Sequence, residues 1–125
     1  MRTVEAFTAA KNYRAAQAEM QRIVGSLNAE LRMKPDDPTV LNRIAWTLAT
    51  HEIDKERALE LAKRAATLAP TRSDILDTMA ECHFRLGHFD EAIAIEANLV
   101  TKEPANDEYW KQLQRFKEGK QRAGR

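Results

Sequence analysis

The chain has 125 residues, which is enough for one ordinary domain. Charged residues make up 31 % and apolar residues 43 %, a composition typical of a folded protein rather than a disordered one. The 20 basic and 19 acidic side chains nearly cancel, so the net charge of +1 gives no bulk attraction to nucleic acid or an acidic membrane. A single cysteine excludes an internal disulfide framework.

The first ten residues contain Arg2 and Glu5 among apolar side chains and no continuous hydrophobic region, so we expect no secretory signal. No segment approaches the roughly 18 consecutive apolar residues of a membrane-spanning helix, and we expect no membrane insertion. These absences favour a cytoplasmic location for the chain as given.

Three prolines divide the sequence into periods of similar length. Pro35, Pro70 and Pro104 lie 35 and 34 residues apart, and each follows a stretch with helical apolar spacing and precedes a polar cluster. Because proline cannot continue a helix, and Asp, Thr and Asn side chains cap the start of the next one, each proline predicts the end of one helix and the beginning of another.

Each full period contains two apolar stripes with helical spacing. The stripes of the first period are Leu41, Ile44, Ala45 and Leu48, then Ala58, Leu59, Ala62, Ala65 and Ala66. Those of the second are Ile75, Leu76, Met79 and Ala80, then Ala92, Ile93, Ile95, Leu99 and Val100. The polar breaks between the stripes contain Asp54, which we expect to cap a helix, and Gly87, which can end one. The sequence therefore predicts helix-turn-helix twice over.

The period length and the residues at its key positions resemble the tetratricopeptide repeat. The positions that carry the resemblance in the second period are Leu76, Met79, Ala80, Gly87, Phe89, Ala92, Leu99 and Pro104. The first period resembles the same repeat with one residue inserted in its turn, and its segment Leu41–Trp46 is similar to a form common in bacterial repeats. The resemblance implies an all-α fold of antiparallel helix-turn-helix repeats stacked as a short right-handed α-solenoid.

The two ends of the chain resemble incomplete repeats. Trp110 and Leu113 lie where a further repeat would have its tryptophan and leucine, so 107–125 is interpreted as a C-terminal capping helix with a basic tail. At the N-terminus, Lys11–Ala16 is similar to the turn before a second helix, and apolar spacing continues to Met33. We interpret 1–37 as a partial repeat with an extended second helix, 38–72 and 73–106 as full repeats; one unbroken helix from Thr3 to Met33 is the alternative.

In this family the first helix of each repeat lines a concave surface. The resemblance places ten residues on that surface: Asn42, Arg43, Trp46, Asp77, Thr78, Glu81, Arg85, Lys111, Gln112 and Arg115. An extended peptide could place an apolar side chain on Trp46 and pair its charges with neighbouring Arg and Asp side chains. The alternative is that Trp46 packs against neighbouring helices and the charges form a solvated face.

The best-known ligand of the family is the C-terminal carboxylate of heat-shock chaperones, held by Lys, Asn and Arg. This sequence departs from that pattern, because Trp46 and Glu81 stand where asparagine or another donor is needed and Asp77 would repel a carboxylate. We therefore expect no chaperone-tail binding, and the acids indicate a ligand with some positive character near the middle repeat.

His83 and Glu96 stand where the repeat usually has aromatic residues. They could meet between the helices of one repeat, where Glu96 would raise the pKa of His83; the alternative is that both reach water. Cys82 and His83 with His88 cannot all point to one side of a helix, so we expect no metal site and no cofactor.

No enzyme motif is present, and the six bases of the tail are spread out without the aromatic pattern of a nucleic-acid site. The sequence predicts a non-catalytic scaffold that binds a protein or peptide through its concave surface, and no nucleic acid. Two alternatives stay open: a homodimer formed through the long N-terminal helix, and a docking or regulatory segment of a larger enzyme.

Overall fold

The computed structural model describes the backbone of residues 2–124 and the side chains of residues 9–124. Within this part of the chain the fold is all-α, as predicted. The helices are α1 (Arg2–Met33), α2 (Pro38–Thr50), α3 (Lys55–Leu68), α4 (Ser73–Arg85), α5 (Phe89–Lys102) and α6 (Asp107–Ala123). None of them combines the length and the apolarity that a lipid bilayer requires.

The chain divides into two compact units, Met1–Pro35 and Asp36–Arg125, and the first consists of α1. This helix runs without a break through residues 11–16, so the turn predicted there is wrong and the unbroken helix is the observed structure. The physical reason is that this segment contains neither proline nor glycine, and no residue in it removes a backbone hydrogen bond. Self-association through α1 stays a prediction.

The predicted side-chain caps of the second unit form at the starts of α2, α3 and α6, but at the start of α4 Arg72 makes no side-chain cap hydrogen bond. The Asp37 carboxylate accepts hydrogen bonds from the backbone N–H groups of Thr39 (2.9 Å) and Val40 (3.2 Å) at the start of α2. Asp54 accepts from the N–H of Arg57 at the start of α3. Gly87 follows α4 with a φ of 81°, a left-handed conformation that glycine adopts without steric cost.

Helices α2 to α6 pack in the order of a stacked repeat. Each helix packs against the next one along the chain, and α2 also packs against α4, the first helix of the following pair. Alanines at the contacts let the helices approach closely; the fully buried ones are Ala45, Ala49, Ala58, Ala62, Ala65, Ala80 and Ala92. The packing is that of an α-solenoid in which α2, α4 and α6 are the first helices of consecutive units. The division into repeats at 38–72, 73–106 and 107–125 stays a prediction.

Candidate functional site

An open cavity of about 570 Å³ lies along the first helices of the solenoid. Its lining residues are Trp46, Thr50, Asp77, Glu81, Arg85, Glu108, Gln112 and Arg115. Six of them belong to the ten residues that the sequence predicts for the concave surface. The side chains come from α2, α4 and α6. Helical spacing places the polar residues of each of these helices on one side, and the stacking brings these sides to the same face of the solenoid.

The other four predicted residues lie outside this lining. Thr78 is buried and its hydroxyl donates to the Asp74 carbonyl (3.0 Å), so little of its side chain is open to a ligand. The Asn42 amide nitrogen lies 3.5 Å from an Asp74 carboxylate oxygen. Lys111 forms an ion pair with Glu108 at 3.4 Å on the surface of α6, and Arg43 is exposed.

Trp46 is 41 % exposed, and it contributes an aromatic surface to the cavity wall. Ala45 and Leu48 are close to Trp46 in sequence, but they belong to the apolar stripe of α2 that is buried against the neighbouring helices. The indole is therefore available to solvent although its neighbours in sequence are not.

Glu81 is the centre of a hydrogen-bond network between α4 and α6. Its carboxylate, 1 % exposed, accepts from Arg85 Nε (2.8 Å), from Arg115 Nη1 (2.6 Å) and Nη2 (2.8 Å), and from the amide nitrogen of Gln112 (3.0 Å). Burial alone would raise the pKa of Glu81, but the hydrogen bonds from the two arginines and the glutamine lower it to about 2. A buried, ionised carboxylate thus fixes the orientation of both guanidinium groups.

Aromatic rings hold Arg115 from its other side. Its guanidinium carbon lies 4.7 Å from the centre of the Phe84 ring and 5.6 Å from that of Phe116, and these two rings are stacked at 4.7 Å. Gly119 makes this arrangement possible, because a Cβ atom at that position would lie 2.4 Å from Cε1 of Phe84. Neither Phe84 nor Gly119 was predicted from the sequence, because neither occupies a concave-surface position of the repeat.

A second cavity of about 480 Å³ shares Arg85 and Arg115 with the first. Its other lining residues are Glu52, Phe84, Phe89, Gly119 and Arg122. Both arginines therefore lie between two open spaces, with their orientation set from within the protein by Glu81.

Asp77 and Glu96 differ from Glu81, because they form a pair of acids without basic partners in the described part of the chain. Glu96 is fully buried, and among the described residues no N–H or O–H group donates to either of its carboxylate oxygens or to Oδ1 of Asp77. Burial raises the pKa of Glu96, and the adjacent Asp77 carboxyl raises it further. The pKa of Asp77 is also raised, chiefly by burial. A proton on Glu96, donated towards Asp77, supplies the missing hydrogen bond and leaves the negative charge on Asp77.

The predicted contact between His83 and Glu96 is wrong. His83 Nδ1 lies 3.1 Å from Nδ1 of His88, because the turn at Gly87 brings the two imidazoles together, while Glu96 faces Asp77. Burial, followed by the neighbouring His88, lowers the pKa of His83 instead of raising it. The spacing in the sequence assigns the two residues to neighbouring helices, α4 and α5, but it does not determine their positions along the helix axes.

Cys82 is buried, and burial raises the pKa of its thiol to about 12, which makes it an unreactive packing residue. Among the residues that the structure describes, no group of three or more His, Cys, Asp or Glu side chains is arranged to hold a metal ion.

A family model described as tetratricopeptide repeat matches residues 54–115, which include all of α3, α4 and α5 and the first half of α6. The protein is a tetratricopeptide repeat protein. The matched range contains the Glu81 network and the Asp77–Glu96 pair, and repeats of this family mediate protein–protein interactions. No curated protein sequence matches the chain.

Proposed function

We propose that this tetratricopeptide repeat protein is a non-catalytic scaffold that binds a peptide segment of another protein along α2, α4 and α6. The observation that carries the proposal is that six of the residues predicted for the concave surface, from three helices, line one open cavity, which we call the groove. A cavity of about 570 Å³ accommodates a few side chains of an extended peptide, which is the scale on which interface anchors act.

The cavity offers two means of recognition to such a segment. Trp46 provides an aromatic surface for an apolar side chain or a side-chain stem. Arg85 and Arg115 have further N–H groups beyond those bound by Glu81, and these can donate to peptide carbonyl or carboxylate oxygens. Because the guanidinium groups are already oriented, a ligand loses less side-chain entropy when it binds them.

The test is a selection of octapeptides from a random displayed library on the immobilised protein, followed by anisotropy titrations. Trp46→Ala is expected to weaken the selected peptides about 10-fold, which is about 1.4 kcal/mol. Trp110→Ala is the matched control, since Trp110 is 50 % exposed but does not line the cavity. Circular dichroism checks that both variants are folded. Selection of no peptide, or equal affinity of the wild type and Trp46→Ala, would contradict the proposal.

A further inference from the structure

The charges around the cavity are balanced except at one residue. Glu81 is bound by Arg85 and Arg115, and Arg85 also lies 3.7 Å from a carboxylate oxygen of Glu52. On the other side, the exposed Glu108 forms an ion pair with Lys111 at 3.4 Å. Among the described residues that line the cavity, Asp77 is the acid for which the structure records no basic partner at ion-pair distance.

Burial raises the pKa of Asp77, and the charge of Arg115 lies near enough to oppose this, but the two side chains form no ion pair. Oδ1 of Asp77 is buried without a hydrogen bond, and so is Oδ1 of Asn42, which lies 35 residues earlier, one repeat period away, on α2. Behind Asp77 lies Glu96, a carboxyl group with no exposed surface and no donor from the rest of the described chain. A proton on Glu96 satisfies the buried side of Asp77 from within the chain, and the negative charge that Asp77 keeps has no ion-pair partner among the described residues of the cavity.

The second feature that indicates a basic ligand is the aromatic ring of Trp46 in the same cavity. Trp46 on α2 and Asp77 on α4 both line it, and an aromatic ring and a carboxylate in one cavity can both attract an ammonium or guanidinium group. The stem of a lysine or arginine can lie along the indole while its charged end reaches the carboxylate.

We propose that the Asp77 end of the cavity binds a lysine or arginine side chain of the partner segment, paired with the Asp77 carboxylate and lying against Trp46. This inference rests on the proposed peptide-binding function and names the chemistry of its ligand. The buried Glu96 acts as a positioning residue, because its proton holds the Asp77 carboxylate from behind and leaves the charge on the groove side.

The experiment uses the octapeptides selected on the wild-type protein. We expect them to share a Lys or Arg at one position, and we expect replacement of that lysine by norleucine, or arginine by citrulline, to weaken binding about 10-fold. Asp77→Asn is expected to have a similar effect, and to remove the additional loss that salt causes in the wild type. The peptide substitutions need no protein variant, so they test the inference even where Asp77→Asn perturbs the fold.

Glu108→Gln is the matched control, because Glu108 is an acid of the same cavity that is exposed and already paired. We expect it to change the affinity less than about 2-fold. Selected peptides without a basic residue, or equal effects of Asp77→Asn and Glu108→Gln, would overturn the cation site. Peptides that respond to Trp46→Ala but not to Asp77→Asn would overturn it and leave the proposed function intact. Peptides that do not respond to Trp46→Ala would instead contradict the proposed function.

Discussion

Two buried glutamates of the same helix pair, Glu81 on α4 and Glu96 on α5, are held in opposite ways. Glu81 receives hydrogen bonds from two arginines and a glutamine, and its pKa is lowered to about 2. Glu96 has no donor among the described residues and lies next to a second acid, and its pKa is raised by burial and by Asp77. Since both side chains are at most 1 % exposed, burial alone does not decide the charge; the neighbouring donors decide it.

The difference also separates two roles within one cavity. At Glu81 the protein supplies both charges, and the network fixes α6 against α4. At Asp77 and Glu96 the protein supplies acceptors alone, so the region is complete only when a proton and, on our proposal, a basic side chain are bound. On our proposal, the first region fixes the orientation of the two arginines and the second binds the ligand.

The largest expected effect is at Glu81. Glu81→Ala is expected to lower the free energy of unfolding by about 3 kcal/mol, because it removes the partner of two guanidinium groups that are partly buried. Urea unfolding followed by circular dichroism measures the change. Glu118→Ala is the control, since Glu118 pairs with Arg122 at 3.8 Å on the exposed side of α6, and a loss below about 0.5 kcal/mol is expected there. Equal losses in both variants would remove the distinction between the two regions.

The pH dependence of stability tests the comparison directly. Glu81 is ionised in the fold, so its contribution is present above the ordinary glutamate pKa and is lost as the pH falls towards 2. Glu96 is protonated in the fold, so its contribution is present at low pH and is lost as the pH rises above the ordinary glutamate range. Glu96→Gln keeps a neutral donor at this position.

We therefore expect the wild type to lose about 2 kcal/mol more than Glu96→Gln when the pH rises from 5.5 to 8. Urea unfolding of both proteins at several pH values measures this difference, in which the titration of other groups cancels. Parallel pH profiles for the wild type and Glu96→Gln would show that Glu96 is not protonated in the fold.

The smallest effect concerns the aromatic support of Arg115. Gly119→Ala is expected to lower the free energy of unfolding by about 1 kcal/mol, because the displacement of Phe84 outweighs the better helix propensity of alanine. Gly25→Ala is the matched control in α1, where a Cβ atom meets nothing within 4 Å, and a gain of up to about 1 kcal/mol is expected. Thermal unfolding compares the two. Stabilisation by both alanines would mean that Phe84 moves freely and does not hold Arg115.

Much of the fold was predictable because its signals are local. Pro35, Pro70 and Pro104 end helices, Asp54 caps one, and the apolar stripes repeat with helical spacing, so a period of about 34 residues determines the helix pairs. The break at residues 11–16 was predicted wrongly, because the resemblance to a repeat turn was given more weight than the absence of any helix-breaking residue.

The positions of most groove residues were predictable from the sequence, but their burial and their ion pairs were not. Repeat positions alone bring Trp46, Asp77 and Arg85 to one side of the stack, and six of the ten predicted residues do line one cavity. Thr78 is instead buried, and Glu81 is closed off by arginines from its own helix and from α6.

The sequence by itself thus determined helices α2 to α6, their order and the face on which six of the predicted residues meet, because propensity, capping and periodicity act within a few residues. Only the tertiary structure decided which acids carry charge. Arg115 reaches Glu81 across 34 positions of the chain, and Glu96 meets Asp77 rather than His83. Both contacts depend on how packed helices are positioned along their axes. The pKa of each acid is set by the donors and charges that this packing brings within a few ångströms.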